Sequence, residues 1–363
     1  MAREGRVPED YDALLEGADA AYRELRLAEA VEAYRRAGAL RPDAYEPLLG
    51  QARTLTRQRR HAEALAATER LLEIAPERWE GHAALGALHF LTDRYDDASA
   101  ALQRAAELAP GEPEPHLTLA QLHADAGAFE DAQRSMERAR GLILATYMGA
   151  EREEMEALAL HVEAYVRLAE GREAEAAEAA QRTVAMREAN PHAATLAYSN
   201  LGILEARRRN LDGAIEYLEA AYEMNPYLYR VGGALGRILL VRQRFERAAE
   251  VLAQALETNP DPDGPTRYAY GLALARLGRR AEAEEQFRRS LAEGGLKGVA
   301  RVMATWQVVW QSTRGRYAVV AVGLALLAAW LWWFRPAPQT LVLVGLFIAF
   351  FAVQRFIRRR RGG

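Results

Sequence analysis

The chain has 363 residues, half of them hydrophobic, which is enough for about two or three ordinary domains with substantial cores. Its 47 Lys and Arg residues and 50 Asp and Glu residues leave a net charge of −3, and it contains no cysteine. The absence of cysteine excludes disulfides, thiolate metal sites and cysteine nucleophiles. All the acidic residues precede Lys297, so the body of the chain is acidic and the remaining tail is basic. An acidic body argues against nucleic-acid binding, and a basic tail suggests that this end meets a negative surface.

Residues 1–10 form a charged N-terminal tail. This stretch lacks the apolar segment of a secretory signal, so we expect the chain to begin in the cytosol. From residue 11 onward, alanine is abundant and apolar residues recur with helical spacing, which indicates an all-α fold.

A pattern of two helical segments closed by a proline recurs along most of the chain. Shifting the stretch 195–226 by 34 residues gives the same residue types at nearly all the marked positions, and earlier prolines keep the same spacing. The marked positions are Tyr198, Leu201, Gly202, Ala214, Leu218, Ala221 and Pro226, then Gly232, Leu235, Gly236, Ala248, Leu252, Ala255 and Pro260, with Pro42, Pro76 and Pro110 upstream. A period of this length is typical of tetratricopeptide repeats, and the chain resembles that family.

The resemblance implies a right-handed superhelical solenoid of about eight helix-turn-helix repeats. Repeats one to four are predicted at 11–148 and repeats five to eight at 149–297. Small residues at the eighth position of each repeat allow two antiparallel helices to approach closely, and large residues at the twenty-fourth fill the gap beside them. One helix pair cannot bury its apolar face alone, so neighbouring pairs stack. The irregular stretch 141–156 is expected to bend the array or to divide it into halves.

The resemblance also implies that positions two, five, nine and twelve of each first helix line a concave groove. This lining changes from acidic in repeats one and two to basic in repeats seven and eight, so we expect the C-terminal half to bind a segment with acidic and apolar side chains. The candidate groove residues are Tyr165, Asn200, Arg230, Arg237, Tyr268 and Arg276. Of the family's carboxylate clamp, only Asn200 and Arg230 match in type and place, which does not favour binding of chaperone tails.

Residues 298–315 are predicted to form an amphipathic helix. Its apolar residues fall on one helical face, from Val299 to Trp310. Two alternatives remain open. The helix caps the last repeat, or it lies at a membrane interface with its tryptophans at the headgroup level.

Residues 316–357 are predicted to form two transmembrane helices, and 358–363 a basic C-terminal tail. The stretch 317–334 is free of charge and long enough to approach the thickness of a bilayer, whereas the second apolar run is shorter. Arginines flank the outer ends of both runs, which predicts a hairpin with both termini in the cytoplasm. The alternative is a buried globular hairpin. The predicted membrane-interface residues are Trp306, Trp310, Tyr317, Trp330, Trp332, Trp333, Arg355 and Arg358.

The sequence contains no phosphate-binding loop, no zinc-protease motif and no nucleophile elbow. His82, His89, His116 and His123 are too far apart along their helices to share a metal ion and are better explained as packing residues. We therefore expect no enzyme, cofactor, metal or small-molecule substrate. Two functions remain. The first is a scaffold anchored in the inner membrane, which binds a protein or peptide partner in its groove at the cytosolic face. The second is a structural subunit or assembly factor of a larger membrane complex.

Overall fold

The computed structural model describes residues 10–259, 263–312, 317, 321–323 and 325–326. Within these residues the chain forms 17 α-helices and no strand, which confirms the predicted all-α repeat fold. The chain divides into two compact units, residues 1–297 and residues 298–363.

The first unit is a solenoid of antiparallel helix pairs. The pairs are α1 (Tyr11–Arg23) with α2 (Leu27–Leu40), α3 (Tyr45–Arg57) with α4 (His61–Ile74), α5 (Trp79–Leu91) with α6 (Tyr95–Leu108), α7 (Glu114–Asp125) with α8 (Phe129–Thr146), α9 (Gly149–Ala169) with α10 (Glu173–Ala185), α11 (Pro191–Arg207) with α12 (Leu211–Met224), α13 (Tyr229–Val241) with α14 (Phe245–Thr258), and α15 (Gly264–Arg276) with α16 (Arg280–Glu293). Several second helices end two residues before a proline, because the residue preceding proline disfavours helical geometry.

Each pair reverses direction through one residue with left-handed backbone geometry. This residue is Arg59 in the second pair, with φ 59°, and glycine in three other pairs. The conformation lets the next backbone N–H return to a carbonyl of the first helix, as Arg60 N donates to Leu55 O at 3.0 Å. The equivalent residues are Leu25, Arg59, Asp93, Gly127, Gly171, Arg209, Gln243 and Gly278.

Glycine at the eighth repeat position makes room for the large residue at the twenty-fourth. A Cβ atom added to Gly236 would lie 2.3 Å from Leu252 Cγ, and one added to Gly202 would lie 2.6 Å from Leu218 Cγ. Leu252 is fully buried, so its side chain has little space into which it could move. These contacts agree with the close helix approach expected from the repeat pattern.

The core of the solenoid extends across neighbouring pairs as well as within each pair. The largest cluster joins α12 to α15 and contains Leu218, Leu235, Leu239 and Leu252, each at most 1% exposed. Burying a leucine side chain stabilises the fold by about 1.5–3 kcal/mol, so stacking of pairs supplies much of the stability.

Around the irregular stretch the helices are longer than elsewhere. α8, α9 and α11 have 18, 21 and 17 residues, whereas most of the others have 13 or 14. Tyr147, after α8, donates from its hydroxyl to Glu112 Oε2 at 2.6 Å. Asn190 Nδ2 donates to Glu154 O at 3.2 Å, and the Asn190 side chain also caps α11. These contacts attach the longer helices to their neighbours, and both halves of the array belong to the same compact unit.

The second unit begins with α17 (Gly298–Gln311). None of the helices within the described residues is long and apolar enough to cross a membrane. Nearly all of the two membrane helices predicted at 316–357, and the tail at 358–363, lie outside the described residues. So do the predicted interface residues Trp330, Trp332, Trp333, Arg355 and Arg358, whereas Trp306, Trp310 and Tyr317 are described and exposed.

Candidate functional site

Tyr165 and Arg230, two of the predicted groove residues, lie within electrostatic range of each other. The half-buried Tyr165 on α9 donates from its hydroxyl to Asp125 Oδ1 at 2.5 Å. Burial and this hydrogen bond raise the pKa of Tyr165, whereas the positive charge of Arg230 opposes the rise. Tyr95 also lies within range of both Asp125 and Arg230, a proximity that the sequence did not reveal.

Arg230 is exposed in the first turn of α13. Its Nε donates to the Tyr229 hydroxyl at 3.4 Å, and this bond, together with the charge of Asp93, raises the pKa of Arg230. Among the described residues, Arg230 makes no ion pair. Its guanidinium is therefore available to an incoming carboxylate.

The side-chain N–H groups of Asn200 and Arg237 have few or no hydrogen-bond partners among the described residues. The Asn200 Nδ2 atom is buried and has no hydrogen-bond partner among the described residues. The exposed Arg237 makes one long contact, from Nη1 to Thr266 Oγ1 at 3.5 Å. A bound polar group could satisfy either donor.

Tyr268 and Arg276 pack against second helices instead. The Tyr268 ring lies 5.6 Å from the Phe287 ring of α16, and the Arg276 guanidinium lies 5.7 Å from the Phe245 ring of α14. No contact among the described residues connects them to Arg230. The structure thus does not bring these two together with Tyr165 and Arg230.

The second helix pair carries three arginines, and one of them, Arg59, lies near Arg230. Arg53 pairs with Glu114 of α7, with Nη2 and Oε2 3.1 Å apart. Arg57 places its guanidinium 3.8 Å from the centre of the Tyr22 ring and donates to Tyr22 O at 3.4 Å. Arg59, in the following turn, lies within electrostatic range of Tyr229 and Arg230. Arg59 is therefore a basic residue of repeat two that positions two, five, nine and twelve did not predict.

Two buried histidines lie near Arg57 and Arg59. His161 on α9 is 4% exposed, and burial lowers its pKa to about 4. Burial also lowers the pKa of His192, at the start of α11, and the nearby charges of Arg57 and Arg59 contribute. The Nδ1 atoms of both rings are buried without a hydrogen-bond partner in the described part of the chain. Both rings are therefore neutral at pH 7.

The chemistry of this region is that of binding. Over the described residues, no group of three His, Asp or Glu side chains is arranged to hold a metal ion. What the arrangement offers is guanidinium and imidazole groups next to tyrosine rings, a composition suited to anionic groups on a protein partner. The sequence analysis considered only positions on the first helix of each repeat as groove residues. Arg59 lies in the turn after that helix, so it could have been identified only if the turn residue had been counted as well.

Comparison with known proteins agrees with the repeat architecture. Two family models described as tetratricopeptide repeat match the chain, one at residues 89–141 and 206–265 and the other at 49–113 and 161–228. Together they cover more than half of its length. No curated protein matches the sequence.

The chain is also similar to solved structures. One is a chain from the crystal structure of the APC/C hetero-tetramer Cut9–Hcn1, with a TM-score of 0.57 and 16% identity. The alignment covers 82% of this chain and 55% of that one, so this chain spans about half the length of the protein it matches. At such low identity the likeness concerns the fold alone. The period, the helix pairs and the matching models together show that the chain belongs to the tetratricopeptide repeat family.

Proposed function

We propose that this chain is a scaffold anchored in the inner membrane, with its tetratricopeptide solenoid and both termini in the cytoplasm, which binds a protein or peptide partner in the concave groove. Tetratricopeptide repeats are suited to protein–protein interaction, and proteins built from them are typically non-catalytic. The observation that carries the binding role is the set of arginines and tyrosines around Arg230, since these residue types dominate interface energies.

The chemistry of the partner follows from these side chains. Arg230 and Arg237 are exposed and make no ion pair among the described residues. By contrast, the arginine just before several second helices pairs with an acidic residue three positions on, as Arg60 does with Glu63 and Arg279 with Glu282. Free guanidiniums attract carboxylates, and the rings of Tyr165 and Tyr229 provide apolar surface beside them. The proposal is therefore a partner segment with acidic and apolar side chains.

Membrane attachment is supported by α17 and by the sequence after it. Five apolar side chains of α17, those of Val299, Val302, Met303, Trp306 and Trp310, are between 40% and 76% exposed. Trp306 and Trp310 stack with their ring centres 6.0 Å apart. An exposed apolar face with tryptophans suits the headgroup region of a bilayer, and the apolar sequence at 316–357 follows it directly.

Truncation after Gly315 tests the anchor. The shortened chain is expected to appear in the soluble fraction, because it lacks both apolar runs, while the full chain sediments with membranes and resists a salt wash. Deletion of residues 358–363 alone is the control and should leave the chain on the membrane. A truncated chain that still sediments after the salt wash would show that residues 316–357 are not the anchor.

An assembly role is the second candidate. It is favoured by the likeness to a chain of a hetero-tetramer, although that likeness is one of fold. Co-purification of the full chain in mild detergent distinguishes the two functions. A fixed stoichiometric set of partners would indicate a structural subunit or assembly factor, and one partner recovered in a salt-dependent way would indicate the scaffold.

A further inference from the structure

The charge of the chain changes sign at the boundary between its two compact units. The second unit, residues 298–363, contains nine of the 47 basic residues and none of the 50 acidic ones, so its charge is +9. The remaining 38 basic residues and all 50 acidic residues lie at 1–297, so that unit carries −12. A negatively charged surface therefore attracts the second unit and repels the solenoid.

The helix α17 belongs to this basic unit and not to the solenoid unit. At 3.6 residues per turn, the exposed side chains of Val299, Met303, Trp306 and Trp310 fall within an arc of about 60° around its axis. Arg301 lies on the opposite side of the same helix, where it is exposed and makes no ion pair with any described residue. The helix is therefore amphipathic, with an apolar face that no described residue covers and a basic opposite side.

The exposed apolar surface continues beyond α17. The uncharged run 317–334 begins six residues after Gln311, the last residue of the helix. In the described part of that run, Tyr317, Val322 and Leu326 are 73%, 59% and 66% exposed. Soluble proteins rarely leave so continuous an apolar surface uncovered, whereas one bilayer would cover both parts.

The dimensions of a helix place its basic side at the level of the lipid headgroups. An interfacial helix buries its apolar face about 5–10 Å into the boundary between headgroups and acyl chains. Because a helix with its side chains is about 10–12 Å across, a side chain on the opposite side then lies near the phosphates. Arg301 is in this position, and tryptophan rings such as those of Trp306 and Trp310 are typical of the boundary itself.

We propose that α17 lies in the surface of bilayers rich in anionic phospholipid, with its tryptophan face inward and Arg301 at the headgroup phosphates. The inference rests on the proposed membrane anchoring and adds to it the class of lipid and the orientation of the helix. A lipid surface is the occupant because the apolar face, the positive charge of the whole unit and the adjoining uncharged run all match it.

The chain lacks cysteine, so one introduced cysteine gives one labelled position. Met303 and Thr305 are both exposed but lie on opposite sides of α17. Met303→Cys and Thr305→Cys, each labelled with the environment-sensitive fluorophore NBD, are reconstituted as full chains. The vesicles contain either phosphatidylcholine alone or an equal mixture of phosphatidylcholine and phosphatidylglycerol.

In the mixed vesicles, the label at position 303 should emit at a shorter wavelength than the label at 305 and resist quenching by acrylamide, a neutral aqueous quencher. In phosphatidylcholine alone this difference should shrink. Arg301→Gln should lower the ratio of protected to accessible label at 303 in the mixed vesicles about fivefold, the effect of one basic residue near a negative surface. Arg288→Gln, which removes an exposed arginine of α16 instead, should leave that ratio unchanged.

Flotation of the vesicles separates this inference from the anchor. If the chain floats with both lipids while the label at 303 stays accessible to acrylamide, the interfacial position of α17 is wrong and the anchor stands. Equal protection at 303 in both lipids would overturn the preference for anionic lipid, and equal protection at 303 and 305 would show that protein covers the helix. A chain that floats with neither lipid would overturn the anchor and this inference together.

Discussion

Replacing Gly236 with alanine is expected to lower the free energy of unfolding by about 1–3 kcal/mol, the usual cost of overpacking a tight core. The new methyl group would lie 2.3 Å from Leu252 Cγ and 2.6 Å from its Cδ2. Helix propensity acts in the opposite direction, since alanine favours a helix over glycine by about 0.5–1 kcal/mol. A net loss of stability would therefore show that the steric cost of adding a methyl group between α13 and α14 is larger than the gain from helix propensity. Urea unfolding followed by circular dichroism measures the shift.

Gly141→Ala is the matched control. Gly141 also lies within a helix, α8, but no atom lies within 4 Å of the place where its Cβ would be. This change should raise stability by about 0.5–1 kcal/mol through propensity alone. Combining Gly236→Ala with Leu252→Ala should show less than additive loss, because the smaller side chain gives the methyl group space. If Gly236→Ala stabilises the protein as Gly141→Ala does, the packing described for α13 and α14 is wrong.

Lowering the pH from 7 to 5 is expected to reduce stability by about 2 kcal/mol through His161. The folded-state pKa of His161, about 4, lies below the ordinary value of 6.5, because burial disfavours the charged ring. The unfolded chain therefore binds the proton more tightly than the folded chain does. The stability that His161 contributes is fully present above pH 6.5 and is lost as the pH falls toward 4.

Two substitutions of His161 separate the effect of its titration from the effect of burying a polar side chain. In His161→Leu the side chain matches that of Leu117, which occupies the same position in the preceding repeat and is 2% exposed. This variant should lose the part of the pH dependence that His161 contributes and keep the part that comes from the buried His192. It should also gain stability at pH 7, because an unsatisfied buried nitrogen is removed. His161→Gln should lose the same part of the pH dependence, but without that gain. The test is to measure the urea midpoint of unfolding of each variant from pH 7 to 5. If both variants show the same change of midpoint with pH as the wild type, His161 is excluded as a titrating group.

The repeat architecture could be predicted from sequence because its determinants are local. Gly236 and Leu252 lie within one repeat, and a proline marks the end of five of the eight second helices, so the period reflects packing directly. The left-handed turn residue was harder to find, since arginine, leucine and aspartate stand where glycine would be the usual choice. The tertiary context overrides the local preference at those turns.

The candidate site was only partly predictable, because it depends on the curvature of the solenoid. Tyr165 and Arg230 follow from repeat register, but the approach of Arg59 to Arg230 joins residues 171 positions apart in the sequence. Arg276 shows the opposite case, since its register suggested the groove while its guanidinium packs over Phe245. The repeat period determines which face of its helix a residue occupies. It does not determine which distant repeat lies close to that face.

Photocrosslinking in intact membranes tests the central claim most directly. A benzophenone side chain in place of Tyr229, beside Arg230, should crosslink a partner protein in the full chain. The Arg230→Ala and Arg237→Ala changes together should reduce that yield about tenfold or more, because loss of charged interface contacts costs a few kcal/mol. A benzophenone in place of the exposed Arg182, on the second helix α10, is the control and should give no such product. Equal yields from the wild type and the double variant at low and moderate salt, or crosslinks from position 182 alone, would contradict a partner-binding groove.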